Sequence, residues 1–331
     1  METIKTKNYR IPSVSEDPAL SSATKRFLTA LNGGGGAPLE TLTPVEARKV
    51  LVNAQASVEV DLSGIEESER EIETEGFKLK LNIVKPAGST EVLPAFIFIH
   101  GGGWVLGDFQ MHKRMVRDLV VLSGTAGVFI NYTPSPDVQF PQQPQEIYAA
   151  TRWIAANGSE IDIAGNRLAL IGNSAGGNMA TATALRAALE NGPEIRLQIL
   201  FWPTVNSDFE TSSYQRFGAD RFLTTPLIKW MYDTYLPDAE DRKNIYAAPL
   251  LATTEELMHL PPTLIQVGEA DIFLDESLAY GRKLDEAGVE VTTLTYAGAI
   301  HDFGLLNGLA ATAQSKALFR HAAAELRSFL F

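Results

Sequence analysis

Residues 168–178 read Leu168-Ala169-Leu170-Ile171-Gly172-Asn173-Ser174-Ala175-Gly176-Gly177-Asn178, a Gly-x-Ser-x-Gly pattern between an apolar run and an Ala- and Leu-rich stretch. Leu168 to Ile171 has the make-up of a buried strand and Asn178 to Glu190 that of a helix, so Ser174 falls on the turn joining them. A strand turning straight into a helix brings backbone against backbone two residues either side of the turn, which accounts for Gly172 and Gly176. The turn presents Ser174 above the sheet as a candidate nucleophile. A helix that starts at the serine also aims free N–H groups, and its positive end, at charge developing there. Taken alone the five residues would describe a flexible Ser/Gly loop; the flanking strand and helix decide for the elbow.

A serine hydroxyl needs a histidine base, itself oriented by a carboxylate. Of five histidines, His301 lies in Ala299-Ile300-His301-Asp302-Phe303-Gly304. This reads as a short loop after a strand at Val291 to Tyr296, at the end of the sheet where catalytic groups are presented. His112, His259 and His321 lack that placement and read as surface or packing residues. The carboxylate is sought after the strand Thr263 to Val267, and Asp271 is selected. Glu269 lies too close to the strand end, and Asp275 and Glu276 suit the acidic first turn of a helix. The order Ser174, Asp271, His301 is that of the α/β-hydrolase triad, unlike the orders of chymotrypsin-like and subtilisin-like proteases.

A tetrahedral intermediate needs hydrogen-bond donors aimed at its oxygen. His100-Gly101-Gly102-Gly103-Trp104, after the apolar strand Ala95 to Ile99, supplies them. Consecutive glycines let backbone N–H groups come close to an oxygen. The expected donors are Gly102 and Gly103, with Ala175 just after the nucleophile. No Gly-x-Gly-x-x-Gly or Gly-x-x-x-x-Gly-Lys spacing passes through these glycines, which argues against nucleotide binding.

Together these segments resemble the hormone-sensitive-lipase-like group, family IV, of bacterial α/β-hydrolase esterases. The resemblance is carried by His100-Gly101-Gly102-Gly103-Trp104, Gly172-Asn173-Ser174-Ala175-Gly176-Gly177-Asn178, Asp271-Ile272-Phe273-Leu274-Asp275-Glu276 and His301-Asp302-Phe303. Tyr132-Thr133-Pro134-Ser135-Pro136-Asp137, followed by Phe140-Pro141, matches a fifth motif loosely. Several motifs in the right order, over roughly residues 70 to 331, are far more specific than any one. The resemblance implies an esterase fold with a helical cap, and hydrolysis of carboxylic esters with short to medium acyl chains. It places nucleophile, carboxylate, base and oxyanion donors on the residues already chosen. Two positions depart from the family: Asn173 stands where an Asp usually precedes the nucleophile, and Thr133 where an arginine is usual. An amidase or a small-molecule deacetylase would use the same fold. A non-catalytic receptor on that fold typically lacks the triad histidine, which this chain retains.

Composition agrees. The chain has 331 residues, 45% of them hydrophobic, enough for one large α/β core. A net charge of −12 with no basic patch argues against nucleic acid as a partner. There is no cysteine, which excludes disulfides and a thiol nucleophile. No apolar run reaches a membrane span, and Met1 to Ser13 lacks the apolar centre of a secretory signal, so a cytoplasmic monomer or homodimer without membrane insertion is expected. The chemistry calls for no cofactor, and no paired histidine spacing suggests a metal.

Periodicity places helices at Ala19 to Leu31 and Pro44 to Ala56, about the run Gly33-Gly34-Gly35-Gly36, and near 110–122, 142–156, 175–190, 275–287 and 311–330. Antiparallel strands at Glu71 to Glu75 and Lys78 to Val84 precede buried parallel ones at Ala95 to Ile99, Gly127 to Tyr132, Leu168 to Ile171, Leu197 to Trp202, Thr263 to Val267 and Val291 to Tyr296. The expectation is a mostly parallel eight-stranded α/β-hydrolase sheet in residues 61–331, flanked by helices. A cap would be built from residues 1–60 and an insertion at about 206–259, too long for a plain crossover. Trp104, Trp202 and Ile272, beside catalytic strand ends, are expected to line the ester pocket, with Phe209 added from the insertion.

Overall fold

In the computed structural model, which describes residues 11–331, the sheet has eight strands. They are β1 (Ile65–Thr74), β2 (Phe77–Pro86), β3 (Leu93–Ile99), β4 (Ala126–Asn131), β5 (Ile163–Asn173), β6 (Leu197–Phe201), β7 (Thr263–Ala270) and β8 (Val291–Ile300). Across the sheet the order is β1-β2-β4-β3-β5-β6-β7-β8. β1 with β2 and β2 with β4 are antiparallel, and every later pairing is parallel.

The helices are α1 (Ser22–Asn32), α2 (Pro44–Ala56), α3 (Phe109–Ser123), α4 (Gln142–Asn157), α5 (Ala175–Leu189), α6 (Ser212–Phe217), α7 (Thr225–Tyr235), α8 (Thr254–Leu257), α9 (Leu274–Glu286) and α10 (Ala313–Leu330). All seven residues of β3 are buried, because helices cover both sides of it. Ala95, Ile97 and Ile99 point into an apolar cluster shared with α4, α5 and α9. Phe96 and Phe98, one residue out of step, belong to a second cluster with α3 and α10. The period of two in a strand thus sorts one apolar run into two cores.

Several strands outrun their sequence-based limits, β1, β2, β7 and β8 among them. The β1–β2 hairpin pairs Ile65 with Pro86 through to Thr74 with Phe77, turning at Glu75 and Gly76, both with positive φ. Its outer part is built on charged cross-strand pairs such as Glu71 with Lys80 and Glu73 with Lys78, which carry no apolar signal. β7 continues to Ala270 and β8 to Ile300, where these two residues pair past an irregularity after Gly268. Asp271 and His301 therefore follow strand ends directly, not by way of a longer loop.

Residues 11–64 lie over the body of the fold. The N–H of Ser21 and the hydroxyl of Thr24 both donate to the carbonyl of Gly298, at 3.1 and 2.7 Å. α2 starts with a reciprocal Thr43–Glu46 capping box. From α2, Arg48 donates to the carbonyls of Val105 and Ser135, and Gln55 to those of Leu305 and Met111. The stretch expected as an insertion holds α6, α7, short 3-10 turns at Ala239–Lys243 and Pro249–Leu251, and α8. It is tied to the N-terminal segment by a buried ion pair, Arg221 Nη2 to Asp17 Oδ2 at 2.6 Å. The first ten residues of the 1–60 expectation, and most of the Met1 to Ser13 stretch, lie outside the described residues.

Candidate active site

β5 hands over to α5 at Ser174, whose φ of 54° and ψ of −122° are sterically disfavoured for a non-glycine residue. The turn is held by the Ser174 N–H donating to Phe201 O at 2.9 Å and by Asn178 N–H donating back to Ser174 O at 3.1 Å. A Cβ on Gly172 would collide with the carbonyl of Gly176, and one on Gly176 with that of Ile99. Only glycine fits at either place.

His301 Nε2 lies 3.0 Å from Ser174 Oγ, and His301 Nδ1–H donates to both oxygens of Asp271 at 3.0 Å. Asp271 Oδ1 also accepts the N–H of Phe273 at 2.8 Å, which fixes the carboxylate. All three residues are buried, with Phe273 set edge-on to the imidazole at 5.0 Å. Burial opposes a charge on His301, but Asp271 and then Asp302 outweigh it and raise its pKa above the ordinary 6.5. β5, β7 and β8 thus bring together three side chains that are far apart in sequence.

Gly102 and Gly103, at φ of 111° and 60°, line the same small cavity as Ser174 and His301. Side chains would not fit there: a Cβ on Gly102 would strike the Leu106 carbonyl, and one on Gly103 the side chain of Met231. Among the described residues, the N–H groups of Gly102, Gly103 and Ala175 have no intramolecular acceptor. The neighbouring His100 donates from Nδ1 to the Gly101 carbonyl and stacks on Tyr132 at 4.2 Å. Burial pulls its pKa down to about 4 and that of His112 to about 3, so both are neutral packing groups near pH 7. His112 is thus a core residue, and His321 shares a hydrogen bond with Tyr296 at 2.8 Å.

The cavity has a volume of about 40 Å³. Its upper walls come from both segments outside the sheet: Leu39 and Leu51 on one side, and Phe222, Leu223, Leu227, Ile228 and Met231 on the other. None of the four expected pocket residues is among its lining. Trp104 stacks on Tyr235 at 4.4 Å and meets Tyr232 edge-on, so it anchors α7. Phe209 packs on Tyr214 and Tyr232 in the same aromatic group. Ile272 is buried behind Asp271, its carbonyl accepting from the Ser213 hydroxyl at 2.7 Å. Trp202 is turned toward Asp302, to which its Nε1–H donates at 2.7 Å. Nearness to a strand end did not establish that a side chain faces the serine.

Sequence reasoning weighed Met231 of α7 for the pocket roof without selecting it, and missed Leu227, Ile228 and Asp302. A carboxylate directly after a histidine at a strand end was the available signal for Asp302. Asn173 is a connector: its Oδ1 accepts the Gly101 N–H at 2.9 Å, while its Nδ2–H donates to Asp302 at 3.3 Å. Among the described residues no three His, Cys, Asp or Glu side chains converge as a metal-binding group, and no helix is long and apolar enough to cross a membrane.

Comparison with known proteins agrees with the geometry. A family model described as alpha/beta hydrolase fold matches residues 96–305. A thermostable esterase from Pseudomonas putida superposes with a TM-score of 0.94 at 51% identity, covering 95% of this chain and 99% of that one. An esterase of Gibberella moniliformis is 31% identical over 253 residues, 76% of this chain and 78% of its own length. An ethyl acetate hydrolase of Pseudomonas putida is 27% identical over 299 residues, 88% and 92% of the two chains. The chain belongs to the α/β-hydrolase fold family, in its hormone-sensitive-lipase-like group of esterases.

Proposed function

We propose that this carboxylic ester hydrolase acts on short- to medium-chain acyl esters through an acyl-enzyme on Ser174. The observation that carries the reading is the continuous Asp271–His301–Ser174 hydrogen-bond chain at the foot of an apolar cavity. His301 Nε2 takes the Ser174 proton as Oγ adds to the ester carbonyl carbon, while Nδ1–H stays on Asp271. The N–H groups of Gly102, Gly103 and Ala175 receive the oxyanion; losing one such donor typically costs about 2.7–4 kcal/mol of barrier. Collapse of the intermediate expels the alkoxide, which takes the proton from His301. Water then adds to the acyl carbonyl, giving a proton to His301, and the carboxylic acid departs as Ser174 regains its hydrogen.

Residues 11–60 and the stretch holding α6 and α7 act as the cap, and their apolar side chains form the acyl site. Short chains are favoured because Leu39, Leu51, Leu227, Ile228 and Met231 close over Ser174 and, among the described residues, leave no long apolar channel leading from it. We place the enzyme in the cytoplasm as a monomer or homodimer, consistent with its acidic surface charge; fractionation and size-exclusion chromatography test this. A panel of p-nitrophenyl esters from acetate to palmitate, with matching anilides and a Ser174→Ala control, tests the activity. We expect the highest kcat/KM between acetyl and hexanoyl, little turnover of palmitate, and no ester turnover by the control. Faster cleavage of anilides than of esters would overturn the ester reading.

A further inference from the structure

Asp302 has no part in the scheme above, yet its carboxyl group lines the same cavity as Ser174 and His301. It is 6% exposed, and burial raises its pKa above the ordinary 3.8, with His301 and the hydrogen bonds from Asn173 and Trp202 acting against that rise, since a buried carboxylate is costly unless its charge is hydrogen-bonded. Oδ1 has two donors, Trp202 Nε1–H at 2.7 Å and Asn173 Nδ2–H at 3.3 Å. Oδ2 lies 3.9 Å from His301 Nε2, whereas Asp271 holds the ring at Nδ1. At 3.9 Å it is too far to take the hydrogen bond that Ser174 makes at 3.0 Å, but near enough to act through its charge.

We propose that Asp302 is a positioning residue for ester hydrolysis: held by Trp202 and Asn173, its carboxylate stabilises the His301 imidazolium from the Nε2 side and sets the pH at which the base becomes active. The proposal rests on the triad reading given above. The other groups around His301 do not duplicate this role. From the end of β7, Asp271 acts on the opposite nitrogen, and Glu269 is turned to the N–H of Gly298. On α9, Glu276 accepts from Val205 N–H, and burial raises its pKa well above the usual range. On α3, Arg114 is occupied by Asp118, Asn307 and the carbonyls of Gly304 and Leu305. His100 and His112 are neutral, and burial holds Tyr214 protonated.

The test is the acid limb of kcat/KM against pH, read in parallel with the pH dependence of Ser174 labelling by a fluorophosphonate. Asp302→Asn has the same shape and an oxygen to accept from Trp202, but no charge. Its acid limb should move down by roughly one pH unit, with the plateau falling by up to about tenfold. Trp202→Phe keeps ring and carboxylate but removes the donor, so it should move the limb the same way by less. Asp302→Ser replaces Asp302→Asn if the latter does not fold, with the same displacement required. A limb that stays in place in both readouts, however much the rate falls, overturns the proposal. Wild-type protein that shows no labelling of Ser174 would instead overturn the triad reading.

Discussion

The serine elbow concentrates backbone strain at one residue, and its neighbours are chosen to permit that. Ser174→Ala should lower kcat by about 10⁵- to 10⁶-fold, His301→Ala nearly as much and Asp271→Asn less. A double variant should lose little beyond the worse single one, because the three side chains act as a unit; additive losses in kcat would contradict this. The raised pKa of His301 has a definite sign in kinetics. The base works when neutral, so kcat/KM should fall as pH drops through a value above 6.5, and a titration of p-nitrophenyl acetate hydrolysis reads that midpoint. Ser174, Asp271 and His301 were legible in sequence because each follows an apolar run and their chain order is restrictive. Asp302 was not, since its relevance depends on how β8 delivers the peptide after Ile300. The direction of the Trp202 ring was not legible for a similar reason: its indole N–H turns toward Asp302, which the peptide after Ile300 brings beside it.

Among the elements, α7 is the one whose contribution composition concealed. Only Phe209 was selected from this insertion for the pocket, yet Leu227, Ile228 and Met231 of α7 border the serine cavity. Met231→Ala should shift the best p-nitrophenyl ester toward longer chains, since each methylene newly accommodated gains about 0.8 kcal/mol. An unchanged chain-length profile would show that α7 does not bound the acyl site. The Asp17–Arg221 pair gives a second test. Asp17→Asn leaves a buried guanidinium without its counter-charge, a loss of about 3–5 kcal/mol that thermal unfolding would register. Replacing both with Leu and Met should be the milder change. The parallel strands were legible from their apolar runs. The full lengths of β1 and β2 were not, because paired charges rather than apolar residues extend them.

For the molecule as a whole, the sequence reveals the segments but not their neighbours in space. That β4 lies between β2 and β3 follows from crossover geometry, and that the chain ahead of β1 reaches the far edge of the sheet has no local signature. This long reach predicts the effect of truncation. A protein starting at residue 60 loses Gln55, which bonds the Leu305 carbonyl, and Thr24, which bonds Gly298 beside the base. It should keep its sheet by circular dichroism while losing most of its ester turnover. Thr24 and Gly298 are 274 residues apart, which also has a consequence for biosynthesis. During elongation α1 emerges long before β8, against which it packs, so Leu28, buried in the folded protein, is exposed in the interval. Elongation therefore leaves the inner face of the amphipathic α1 waiting while the residues between Thr24 and Gly298 are made, an interval suited to chaperone binding. His301 lies 127 residues after Ser174, so a nascent chain that has already formed its elbow has no base to activate the serine until the end of β8 is made.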